Sequence, residues 1–164
     1  MSKLVLCLAI FLCFLVIGYQ IHRAFRHRKQ FFESLVRFCD HLTTEIGFSK
    51  RTIAQIIDAY LDNYSSQFAE VLVNYKALLD RNQDLTRGAL ALWGGLKSAE
   101  AQVVADFLLE LGKHSAAEEL EKIRKFRERF ETLRQDATEK LKRDASIYFK
   151  ICILLGIGVV VLLL

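Results

Sequence analysis

SAAEELEKIRKFRERFETLRQDATEKLKRDASIYFKICILLGIGVVVLLL, residues 115–164, is the stretch on which the fold turns. Ser115 and Glu118 have the S-x-x-E spacing of a capping box, in which Ser caps backbone N–H groups and Glu reaches back. Neither Pro nor Gly follows until Gly156. Apolar residues recur at Leu120, Ile123, Phe126, Phe130, Leu133, Ala137 and Leu141, steps of three and four that mark one helix face. The pattern runs on through Tyr148 and Phe149 into Ile151–Leu164, which carries no charged side chain. A helix amphipathic at its start and apolar all round at its end leads from a protein core into lipid. Unbroken, at 1.5 Å per residue, it would be roughly 70 Å long. The expectation is a mechanical strut between a soluble domain and a bilayer.

A second apolar stretch, Leu4–Ile21, opens the chain and is long enough to cross a bilayer. A cleaved signal peptide would carry its basic residues first and a small-residue cleavage site after. Here only Lys3 precedes, while His22-Arg23-Ala24-Phe25-Arg26-His27-Arg28-Lys29 follows. The order is reversed, which predicts an uncleaved anchor. By the positive-inside rule, Arg23, Arg26, Arg28 and Lys29 put the chain after residue 21 in the cytoplasm. Lys140, Lys142, Arg143 and Lys150 precede the C-terminal segment and point the same way. Ile151–Leu164 alone is short for a span; adding Ile147, Tyr148 and Phe149 brings it close to full thickness if Lys150 snorkels to the interface.

The expected organisation is an N-terminal transmembrane helix at 1–21, a basic juxtamembrane segment at 22–29, a cytoplasmic domain at 30–146 and a C-terminal transmembrane helix at 147–164. The middle shows no clean alternation of β-branched residues, so strands are not expected. Its glycines, at 47, 88, 94, 95 and 112, divide it into helices. The fold class is therefore all-α: a cytoplasmic antiparallel helical bundle flanked by two transmembrane helices. The first helix continues from the anchor with a core stripe of Phe31, Phe32, Leu35, Phe38, Cys39, Leu42 and Ile46. Ser49 is read as the N-cap of a second helix with Ile53, Ile56, Ile57, Tyr60 and Leu61. A third carries Phe68, Val71, Leu72, Tyr75, Leu78 and Leu79, residues 82–86 form a loop, and Ala89–Trp93 a short helical turn. Ser98 opens another helix with Val103, Val104, Phe107, Leu108 and Leu111 facing in, and Gly112 ends it.

Chemistry is sparse. Cys7, Cys13 and Cys152 lie in apolar segments, and no spacing suggests disulfides or zinc. Cys39 and His41 invite a nucleophile or metal reading, but two residues apart on a helix their side chains diverge. Cys39 falls on the core stripe and reads as a buried thiol. Glu118, Glu119 and Glu121 suit the positive end of a helix dipole. The run Lys122–Glu131 reads as a solvated face with i to i+4 pairs, or as a basic partner-binding face. There is no phosphate-binding glycine loop. No catalytic residue, metal ligand or cofactor is expected, and the chain is not read as an enzyme. The basic flank beside a membrane anchor is explained by topology and anionic lipid headgroups, so nucleic acid is not an expected partner.

Phe38-Cys39-x-x-Leu42-x-x-Glu45-Ile46-x-Phe48-Ser49 with Thr52-Ile53, then Phe107-x-x-Glu110-Leu111-Gly112-Lys113, then Tyr148-x-Lys150 before a Gly-bearing apolar end, follow one another along the chain. In that order and spacing they resemble the stage III sporulation protein AB family of endospore-forming bacteria. The resemblance implies a subunit of the secretion-like channel between mother cell and forespore, in the mother-cell membrane around the forespore. It also implies a cytoplasmic domain similar to the platform proteins of type II secretion and type IV pili, which sit over a hexameric secretion ATPase. Expected partners are membrane lipids, that ATPase and the other channel subunits, with a homo-oligomer left open. Among the matched positions Phe48 and Leu111 read as core, Ser49 and Gly112 as caps. Glu45, Glu110 and Lys113 remain as polar contacts to a partner. The rival reading is a membrane-anchored helical signalling or relay module, which would call for a sizeable sensing region outside the membrane.

Overall fold

Start and stop signals set most of the helix boundaries in the computed structural model, which describes residues 2–48, 51–81 and 86–163, with side chains for 9–48, 51–81 and 86–161. Among the described residues six α-helices follow in order: α1 Ser2–Phe48, α2 Ile53–Tyr60, α3 Ser66–Asp80, α4 Ser98–Glu110, α5 Ala116–Lys140 and α6 Ser146–Leu163. Leu61–Asn63 forms a 3-10 turn and Leu141–Ala145 a π-turn. No strand occurs among the described residues, and the two long apolar helices stand at the chain's ends.

Ser49, expected to cap α2, lies outside the described residues; the cap is Thr52. Its Oγ1 accepts from the Gln55 backbone N–H at 3.4 Å, and the Gln55 side-chain Oε1 accepts from the Thr52 N–H at 3.1 Å. At Ser115 the acid reaches back as expected, but the hydroxyl behaves differently. Both the N–H and Oγ of Ser115 donate to Glu118, at 3.4 and 3.1 Å. Of the loop expected at 82–86, residues 82–85 lie outside the described residues. The helical turn expected at Ala89–Trp93 is absent, since Arg87–Ala89 form a turn and Leu90–Trp93 carry no regular structure. Five residues between glycines close too few helical bonds to offset the cost of nucleation. Trp93 instead stacks on Phe31, ring centroids 5.5 Å apart. The long C-terminal run stays helical from Ala116 to Leu163, with a π-turn at Leu141–Ala145 that shifts its register.

Two compact units result, residues 30–134 and residues 1–29 with 135–164. In the first, Phe31, Phe32, Leu35, Phe38, Cys39, Leu42, Ile56, Ile57, Phe68, Leu72, Tyr75 and Leu108 are fully buried. Aromatic edges tie the helices together. Phe38 of α1 meets Phe68 of α3 at 5.7 Å and Phe107 of α4 at 6.3 Å, and Phe107 meets Phe130 of α5 at 5.2 Å. Edge-to-face contacts of this kind add to the burial of large apolar rings. Phe48, expected in the core, is 88 % exposed, and several expected stripe residues, Ile46, Leu61, Leu78 and Val103 among them, are only half-buried. Phe48 is the last residue of α1, past the point where the stripe has helix neighbours to cover it.

In the second unit, the apolar parts of α1 and α6 lie against each other in opposite directions. A methyl group built on Gly18 would stand 3.1 Å from Phe149 and 3.3 Å from the Cβ of Cys152. One built on Gly156 would stand 3.0 Å from Phe11. Each glycine thus receives an aromatic ring of the other helix, the close approach that small residues permit between apolar helices. Gly158 has no such neighbour.

Candidate functional site

Glu45 ends the buried stripe of α1, where a carboxylate can stay only with donors aimed at it. Tyr60 Oη, from the end of α2, donates to its Oε1 at 2.8 Å, and Arg51 stands 3.4 Å away. The Glu45 side chain is 8 % exposed, so it is an internal contact, not the outward polar group expected from the sequence. His41, one turn earlier, stacks on Tyr60 with ring centroids 4.0 Å apart, and its Nδ1 pairs with Tyr64 Oη at 2.7 Å. The hydrogen bond to Glu45 raises the Tyr60 phenol above its ordinary value. Burial lowers the His41 imidazole, against the opposing pull of Asp40 and Glu45. Cys39 lies in the core away from this group, and burial pushes its thiol far up, which makes it inert as a nucleophile.

The second sequence block forms the turn between α4 and α5. Leu111 is buried, and Gly112 follows with φ +81°, a left-handed conformation that L side chains adopt at a cost. Its N–H donates to Glu119 Oε1 at 2.8 Å. Glu119 is therefore a buried turn-holder, a role the sequence did not signal beyond an acid in a first turn. Glu110 and Lys113 are exposed. Glu110 pairs with Lys122 at 3.1 Å, and the same ammonium stands 2.7 Å from His114.

These two turns meet. A methyl group on Gly112 would lie 2.8 Å from Cδ1 of Ile53, the first residue of α2. The α4–α5 turn, with the exposed Glu110, Lys113 and His114, therefore lies against the start of α2 just after Arg51, and Phe48 ends α1 four residues before the Thr52 cap with its ring exposed. A groove of about 690 Å³ runs between α1 and α5, lined by Asp40, Thr43, Ala117, Leu120, Glu121, Arg124, Arg127 and Glu128. Arg127 crosses it to Asp40 at 2.5 Å. Of the run Lys122–Glu131, Lys125 pairs one turn back with Glu121, just outside the run, at 2.7 Å, and Arg127 reaches a neighbouring helix. Among the described residues no group of His, Cys, Asp and Glu could hold a metal ion. What the arrangement offers is a fixed surface of mixed charge with one exposed aromatic ring.

The flanking cations are not equivalent. Arg28 is buried and 3.5 Å from Asp136, which also takes Lys140 at 2.7 Å. Arg143 donates to Asp144 at 2.8 Å, and Arg23 to His27 at 3.0 Å. Arg26, Lys142 and Lys150 are exposed, and Lys29 is half-buried.

The profile of the stage III sporulation protein AB family matches residues 3–164. No curated protein and no solved structure matches the chain. With all three quoted sequence blocks and both apolar ends inside the matched span, the chain belongs to the stage III sporulation protein AB family.

Proposed function

We propose that this protein is a non-enzymatic membrane platform subunit of the secretion-like channel between mother cell and forespore. Residues 30–134, read as an antiparallel helical bundle in the cytoplasm, form a seat for a secretion-type ATPase. The apolar parts of α1 and α6 cross the mother-cell membrane. The observation that carries the reading is the reciprocal seating of Gly18 and Gly156 against rings of the opposite helix. Both helices are long and apolar enough to cross a bilayer, and antiparallel pairing suits two passes.

Two anchors restrict tumbling and fix which surface a motor meets, the physical requirement for a seat under a moving enzyme. The end bearing Phe48, Glu110 and Lys113 is the contact proposed for that ATPase, an exposed aromatic ring amid charges of both signs being a common interface composition. Membranes from cells with the full-length protein should retain the ATPase, and Phe48→Ala with Lys113→Glu should release it with the protein still in the membrane. Equal retention by membranes that lack the protein would refute the platform role.

A further inference from the structure

Residues 22–29 and 136–150 together hold eight Arg and Lys side chains against three carboxylates, Asp136, Glu139 and Asp144. Contacts and exposure separate six of these cations into two classes, while Arg23 donates to His27 and Lys29 is half-buried. Arg28 and Lys140 converge on Asp136, and Arg143 closes on Asp144. Two of the three acids are thereby neutralised within the protein. Arg26, Lys142 and Lys150 are exposed instead. Phe25 and Tyr148 stack across α1 and α6 with ring centroids 6.4 Å apart. Arg26 directly follows Phe25, Lys150 stands two residues past Tyr148 toward the apolar end, and Lys142 stands six residues before it, about 9 Å along the helix, so exposed cations of both helices flank this ring pair. Tyr148 is 49 % exposed there, an aromatic of the kind enriched where membrane meets water.

We propose that Arg26, Lys142 and Lys150 form a docking surface for the headgroups of anionic phospholipid, while Arg28 and Lys140 serve the fold alone. The proposal rests on the membrane placement given above. A phosphatidylglycerol headgroup presents an uncompensated phosphodiester, which guanidinium and ammonium groups take as charge-assisted hydrogen bonds. Phosphatidylcholine carries its own cation and gains little. Cations at a headgroup level add attraction to anionic lipid one by one, about fivefold each, so loss of all three lowers apparent affinity on the order of a hundredfold.

The test is thermal unfolding of the full-length protein in detergent micelles with phosphatidylglycerol, phosphatidylcholine or inorganic phosphate added. Phosphatidylglycerol should raise Tm and the other two should not. Arg26→Gln with Lys142→Gln and Lys150→Gln should abolish that rise, whereas Arg28→Gln should lower the starting Tm and keep it. A rise shared by phosphatidylcholine, reproduced by phosphate alone, or kept in the triple variant would overturn the proposal. An alkaline wash separates the two readings. Native protein that stays in the membrane without showing lipid selectivity sinks the headgroup surface alone, and native protein that washes off sinks the membrane placement with it.

Discussion

At the scale of single residues, the buried carboxylate of Glu45 shows how a polar group is retained at a core edge. Its donors come from Tyr60 and Arg51. Tyr60→Phe leaves the carboxylate short of one donor and should cost about 1–3 kcal/mol in urea unfolding. Pairing it with Glu45→Gln should recover part of that loss, because no buried charge then remains to be satisfied. Gly112 holds a left-handed conformation against Ile53, so Gly112→Ala should destabilise by roughly 1–2 kcal/mol in the same measurement. His41 adds a pH dependence. Its native pKa is lowered, so the unfolded chain binds the proton first, and stability present above the ordinary imidazole value is lost as pH falls through it. The urea midpoint should drop between neutral and mildly acidic pH, and His41→Asn should flatten that slope. Cys39 in the core and Gly112 at the helix end were both legible, the first from its place on the apolar stripe, the second from a glycine closing one. Glu45 and Glu119 were not, because their partners lie 15 and 7 residues away and a lone Glu reads as surface.

The π-turn at Leu141–Ala145 is the element that sequence periodicity missed, and its effect is one of register. Ala137 and Ala145 are buried on the packed face, as are Cys152 and Gly156. Two α-helical turns advance about seven residues, which from Ala137 would bring Asp144 onto that face. The extra residue taken up by the π-turn brings Ala145 there instead and leaves Asp144 to Arg143. Periodicity with tolerance of a residue passes through such a shift unseen, whereas the Ser115–Glu118 signal depends on local chemistry; at α2 the cap is Thr52, not the Ser49 read from sequence. If the π-turn only absorbs one residue, deletion of Lys142 should restore a regular helix, keep the seam in register and leave thermal stability within about 1 kcal/mol, while insertion of an alanine there should lower it by more. The seam has its own check. Gly18→Cys would place its Cβ 3.3 Å from that of Cys152, near disulfide geometry, so mild oxidation should join them. Gly158→Cys, which faces no neighbour, should not join the other helix.

For the whole molecule, the all-helical class and the apolar ends followed from composition and spacing, since charge is concentrated in the middle and excluded from the last 14 residues. Family membership followed from the order of short blocks along the chain. The meeting of the α1–α2 and α4–α5 turns did not, because contact between distant turns leaves no local signal. The central claim is that lipid holds the chain near both ends and that residues 30–134 stand in the cytoplasm. A membrane-impermeant maleimide reads this directly on one introduced cysteine at a time, Ser2→Cys, Lys113→Cys or Leu164→Cys, with Cys7, Cys13 and Cys152 replaced by Ala and the fully buried Cys39 kept as an unreactive background checked in the parent without an introduced cysteine. The account predicts labelling of positions 2 and 164 in intact cells and of position 113 only after permeabilisation; labelling of position 113 from outside, or protection of either end, would contradict it.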